Sequence, residues 1–238
     1  MAKSKNISVS MEKSELLWGW LLVPFYLFLL PSLLGECLKL LPIDLPAASG
    51  DAVLNFSCYA TGFLLCCVIF RRFLLKNVQV ISRQFWNFFQ SVVLGLVFCR
   101  VGTILIGYLV NLLEPSLSNL NNDAITAMAQ SQKTLMLAGT VLFAPVVEEC
   151  IFRGLIFHNL GGKNKAFAYI LSIFAFSAVH LLSSIGKMSP LSLALVALEY
   201  VPAGAALAWC YAKSNTIFTP ILVHACSNLW SYAALSLI

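Results

Sequence analysis

Charge is scarce in this sequence. Of 238 residues only 10 are acidic and 15 basic, 11% in all, and the mean hydropathy is +0.86; a soluble domain carries roughly 25% charged residues. That shortage excludes an ordinary soluble enzyme. The net charge of +5 forms no basic face, because the Lys and Arg residues are scattered between apolar runs, so nucleic acid is excluded as a partner. Cysteine pairing is also missing. The eight cysteines (37, 58, 66, 67, 99, 150, 210 and 226) include no C-x-x-C and nearly all lie in apolar stretches, where Cys behaves as a small hydrophobe. The sequence has no H-E-x-x-H, no internal repeat and no low-complexity tract, and the apolar run Trp18–Leu41 lacks the small-residue cleavage site of a signal peptide.

What is present is a succession of long apolar stretches, at about 17–41, 53–75, 85–113, 134–160, 165–184, 189–212 and 215–237. They predict an all-α polytopic bundle of seven transmembrane helices, in one membrane domain overall, with the bilayer as its solvent. Two regions are distinguished, 1–132 with the N-terminal helices and an external loop, and 133–238 with the remaining core helices. Pro145, Pro202 and Pro220 mark kinks or helix starts. Lys3, Lys5 and Lys13, then Arg71, Arg72, Lys76 and Arg83, then Lys163 and Lys165, then Lys213 alternate with sides holding only Lys39, Lys133 and Lys187. The positive-inside rule places the N-terminus in the cytoplasm and the C-terminus outside. The loop at about 114–132 is either a lid, partly amphipathic helix, or a simple connector.

Against this background, ionisable groups inside apolar helices stand out, because each costs several kcal/mol unless it pairs or faces an aqueous cavity. The fourth stretch reads PVVEECIFRGLIFH: Glu148 and Glu149 are adjacent, and Arg153 follows Glu149 by one helical turn. The fifth carries His180 at the end of FAFSAVH, and the seventh carries His224 and Asn228 on one face. Two neighbouring carboxylates whose proton affinities are pushed apart, with imidazoles nearby, are the ingredients of acid–base chemistry. The bland reading of each also has weight: Glu149 with Arg153 as a buried ion pair, either His as an interhelical hydrogen bond. Arg100 and Glu199 either pair with each other or line a cavity, and His158 lies near enough to a helix end to snorkel.

The ordered set Glu148-Glu149-x-x-x-Arg153, Phe176-x-x-x-His180 and His224-x-x-x-Asn228 resembles the three motifs of the CAAX protease and bacteriocin-processing family, also called Abi, over about residues 134–237. The resemblance implies a helical bundle around a conical cavity open to membrane and cytoplasm, with seven spanning helices here or eight if a short one is uncounted. It implies an intramembrane endopeptidase in which Glu148 activates water together with His180, and His224 and Asn228 stabilise the oxyanion. Glu149 belongs to the same catalytic set, and Arg153 and Phe176 support it. Amide hydrolysis by a carboxylate base, a histidine and an amide donor is chemically sufficient. Ser177 and Cys226 lack the partners of a nucleophile triad.

The expected substrate is a membrane-associated peptide or lipidated protein tail, with bacterial peptide processing or bacteriocin immunity as the setting and a bacterial plasma membrane as the location. No cofactor is expected. Zinc held by one Glu with His180 and His224 is the alternative that the missing H-E-x-x-H disfavours. The competing function is a non-catalytic scaffold for a membrane sensor kinase or toxin receptor. A proton-coupled transporter would bring repeats and matching broken helices, which are absent.

Overall fold

The computed structural model describes residues 9–40, 42 and 45–235. Lys3 and Lys5 lie outside the described residues. Among the described residues there is no strand, and the chain runs α1 (Lys13–Lys39), α2 (Ala47–Ile69), α3 (Arg71–Arg83), α4 (Phe85–Leu113), α5 (Leu120–Ser131), α6 (Lys133–Gly161), α7 (Lys165–His180), α8 (Pro190–Ser214) and α9 (Phe218–Leu235).

Five of these, α1, α2, α4, α6 and α8, are long and apolar enough to cross a bilayer. The two other expected spans are shorter. The stretch predicted over 165–184 ends its helix at His180, after 16 residues, and α9 has 18 residues. The stretch predicted over 53–75 also divides. Phe70 leaves helical geometry at φ −95°, ψ 18°, and α3 begins as a separate amphipathic helix. Its residues Phe73, Asn77 and Val80 recur at three- and four-residue spacing and are buried, while Leu75 and Val78 are exposed. Within the region read as a loop, α5 forms with Asn119 as its N-cap, the Asn119 Oδ1 accepting from the Asn122 N–H at 3.2 Å.

Lipid-like surface is recognisable by side chains such as Trp18, Leu64, Leu105 and Leu191, which are exposed although large and apolar. The interior is organised about α6, half of whose spanning window is buried, against 17% for α1 and α4. Helices α4 and α8 approach closely because Gly102 faces Pro202; a Cβ on Gly102 would stand 2.9 Å from the proline Cβ.

One end of the bundle is tied by polar groups. The buried Glu15 carboxylate accepts from the Glu12 N–H and from the Phe73 N–H, each at 2.8 Å, joining the starts of α1 and α3. Glu12 pairs with Arg72, and Lys76 donates to the Ser10 carbonyl at 3.0 Å. Asn77 accepts from the Ile217 N–H at 2.7 Å, and Asn87 donates to the Lys213 carbonyl at 3.0 Å. Arg72, Lys76 and Lys213 are thereby gathered at one end with the start of α1, while Asn119, beyond the far end of α4, donates to Glu199 within α8.

Candidate active site

The backbone of α6 changes winding around the two glutamates. Wide π-helical turns occupy Ala138–Phe143 and Cys150–His158, and a short α-helical piece, Ala144–Glu149, lies between them. Pro145 has no N–H to return to Val141, so the ordinary ladder cannot close there. Wide turns inside a helix recur at functional sites, and here they bracket the acidic pair.

Neighbours in sequence, the two carboxylates point into different environments. Glu149 and Arg153 are wholly buried, with Arg153 Nη1 donating to Glu149 Oε1 at 3.0 Å and Nη2 to the Gly204 carbonyl at 2.8 Å. Glu148 keeps 16% of its side chain accessible and faces a cavity of about 940 Å³. The cavity also receives His180, His224 and Asn228 and extends to Asn119 and Asn122.

Both imidazoles are fixed by their Nδ1 atoms. His180 Nδ1 lies 2.8 Å from the Phe176 carbonyl, an acceptor, so Nδ1 carries the proton. His224 Nδ1 lies 2.8 Å from Glu149 Oε1 and donates to that carboxylate. Each ring consequently turns Nε2 toward Glu148 Oε2, at 4.0 Å from His180 and 3.8 Å from His224. At that separation the three groups do not bond directly. Among the described residues, Glu148 Oε2 has no hydrogen-bond partner.

Phe176 packs this assembly from the side. The Arg153 guanidinium carbon lies 4.8 Å from its ring centre, and the rings of His180 and His224 lie 4.7 and 5.8 Å away. Asn228 donates one amide hydrogen to the Thr140 carbonyl at 2.8 Å. Its amide carries a second.

All seven residues singled out in the sequence are therefore brought together, but in two layers. Glu148, His180, His224, Asn228 and Phe176 line the cavity, and Glu149 and Arg153 sit behind them. The pairing of Arg100 with Glu199 does not form: Glu199 accepts from Asn119 Nδ2 at 2.7 Å. Nor does His158 act alone at a helix end, since its Nδ1 shares a 2.8 Å hydrogen bond with the Tyr211 hydroxyl. Among the described residues, no group of three or more His, Cys, Asp or Glu side chains is placed to hold a metal ion.

Three supporting elements escape the sequence reading: the Gly204 carbonyl, the Thr140 carbonyl and the Tyr200 ring. Tyr200 stacks on His180, with centroids 4.4 Å apart and planes 29° apart, and its hydroxyl shares its single hydrogen between the side-chain oxygens of Asn119 and Asn122 at the start of α5, each at 3.2 Å, while accepting from Asn121 Nδ2. Its position next to Glu199, an acid within an apolar helix, is the one hint the sequence offers.

Residues 130–230 match the family described as Type II CAAX prenyl endopeptidase Rce1-like. No curated protein and no solved structure matches the chain.

Proposed function

We propose, from the match of residues 130–230 to the Rce1-like family, that this multi-pass membrane chain is an intramembrane endopeptidase acting on a membrane-associated peptide or lipidated protein tail. The observation that carries the mechanistic reading is the convergence of His180 Nε2 and His224 Nε2 on Glu148 Oε2. A water held between Glu148 and His180 loses a proton to this pair as its oxygen attacks the scissile carbonyl carbon. The new C–O bond places negative charge on the carbonyl oxygen. His224 Nε2 and the free amide hydrogen of Asn228 donate to that oxyanion, each such donor contributing about 3–4 kcal/mol. Glu149, bonded to His224 Nδ1, balances the charge of the ring when both of its nitrogens are protonated. Collapse breaks the C–N bond, and the proton taken from water passes to the leaving amine.

In this reading α7 and α9 complete a bundle of seven with the five long helices. Glutamate supplies the base and no metal is required. The basic end holding Arg72, Lys76 and Lys213 faces the cytoplasm. Bacteriocin immunity, a bacterial membrane and a sensor-kinase partner rest on the family resemblance alone.

The test is mass spectrometry of membrane peptides from cells carrying the wild-type chain or Glu148→Gln, which keeps the shape and removes the base. A peptide shortened only by the wild type supports hydrolysis. Identical peptide profiles with an unchanged cellular phenotype favour the scaffold.

A further inference from the structure

A second cavity, of about 510 Å³, lies between α1, α2 and α5 and has no part in the proposed reaction. Its size falls within the roughly 300–1,000 Å³ of sites that enclose a small molecule. From α2 it receives Asp51, Leu54, Asn55, Cys58 and Tyr59, whose i, i+3, i+4, i+7, i+8 spacing puts them on one stripe of the helix. From α5 come Ala124 and Ala127, too small to fill the space, and from α1 come Leu27 and Pro31.

The charge of this cavity sits at one end. Helix α2 runs from Ala47 to Ile69, beside the basic α3, so Asp51 stands about 6 Å from its opposite end and Tyr59 about 12 Å deeper. One leaflet of hydrocarbon, half of the roughly 30 Å core, is of similar depth. The stripe therefore offers an acid and an amide at headgroup level, with apolar and aromatic side chains below. Among the described residues no Lys, Arg or His nitrogen comes within 4.0 Å of Asp51. The adjoining surface of α1 and α2 exposes Leu29, Leu33 and Leu64, so the molecules around this cavity are lipids.

Its inner wall is shared with the catalytic cavity, because Tyr26, Leu27 and Tyr59 line both. The two rings rest on glycines. A Cβ on Gly62 would stand 2.4 Å from the Tyr26 ring, and one on Gly139 would stand 3.0 Å from that of Tyr59. Tyr26 and Leu27 also belong to a wide π-helical stretch of α1, Phe25–Leu29, of the kind that recurs at functional sites.

We propose that this cavity binds one phospholipid with a primary-amine headgroup, its ammonium on Asp51 and Asn55 and the upper part of an acyl chain against Tyr26 and Tyr59. An ammonium donates charge-assisted hydrogen bonds to the unpaired carboxylate. A choline headgroup has the charge without the donors, and an anionic headgroup meets Asp51 as a like charge. The site goes beyond the peptidase reading and stands independently of it.

The experiment is native mass spectrometry of the full chain in detergent, with phosphatidylethanolamine, phosphatidylcholine and phosphatidylglycerol of identical oleoyl chains added at equal concentration. One phosphatidylethanolamine is expected to be retained about fivefold more than either of the others, the size of a well-placed exposed ion pair. Asp51→Asn is expected to erase that preference, and Asp123→Asn, which removes an acid of α5 that does not line the cavity, to keep it. Ala127→Trp fills the space and is expected to abolish retention while the thermal midpoint holds. The headgroup comparison on the unaltered chain decides the matter even if Ala127→Trp misfolds. Equal retention of the three lipids overturns the proposal, as does an unchanged preference in a folded Asp51→Asn. A farnesylated peptide that displaces the phospholipid one for one would assign the cavity to another ligand and overturn it as well.

Discussion

Glu149 holds His224 through Nδ1 at 2.8 Å, which aims the opposite nitrogen of the ring into the cavity, 3.8 Å from Glu148. The relationship assigns different work to two carboxylates that are adjacent in the chain. One holds an imidazole from behind, and the other faces the cavity.

Replacing Glu148 by Gln, or His180 by Ala, is expected to lower kcat roughly 100- to 10,000-fold while yield and thermal midpoint stay near the wild type. Single-turnover cleavage of a prenylated peptide, read beside a thermal melt, checks this. Two folded variants that cleave at the wild-type rate would remove both residues from the mechanism.

Arg153→Ala and Glu149→Ala should behave differently, because each strands a wholly buried partner charge. A loss of about 3–5 kcal/mol is expected for either. Replacing both with apolar residues of similar volume should recover much of it. Denaturation in detergent compares the three variants, and additive losses in the double variant would contradict the coupled-pair account.

Asn228→Ala should reduce kcat about 100-fold or more with little change in KM, the pattern of a donor used only in the transition state. Because Asn228 also ties α9 to the Thr140 carbonyl, the melt is recorded in parallel. A pure KM effect would place Asn228 in substrate binding instead.

Tyr200 is expected to position His180. Tyr200→Phe keeps the stacked ring and loses the bonds to Asn119 and Asn122, so a modest drop in kcat follows. Tyr200→Leu loses the ring as well and should cost about tenfold or more. Equal activities of the two variants would argue that the stack does nothing for catalysis.

Activity should survive EDTA treatment and be unaffected by added zinc, as expected of water activated by Glu148 and His180 alone. Activity lost to the chelator and restored by zinc would reassign His180 and His224 as ligands.

Much of the site is legible in the amino-acid sequence. Glu148, Glu149, Arg153, His180, His224 and Asn228 are conspicuous because lipid penalises such groups, so their presence in apolar stretches already signals partners or a cavity. Their i, i+4 spacing correctly joins Glu149 to Arg153. The spans are less legible at their edges. The split at Phe70 depends on packing, which hydropathy does not weigh, whereas the amphipathic helix expected within residues 114–132 forms as α5.

By itself the sequence determined that this chain is a membrane-spanning helical protein with an acid–histidine–amide set, because apolar length and the cost of buried charge are local properties of a segment. Only the tertiary structure decided which carboxylate meets the cavity, which nitrogen of each imidazole faces it, and that Arg100 stands on Trp230 and not beside Glu199. Those outcomes depend on the winding of α6 and on contacts between helices far apart in sequence. A one-dimensional pattern of hydropathy and spacing does not carry them.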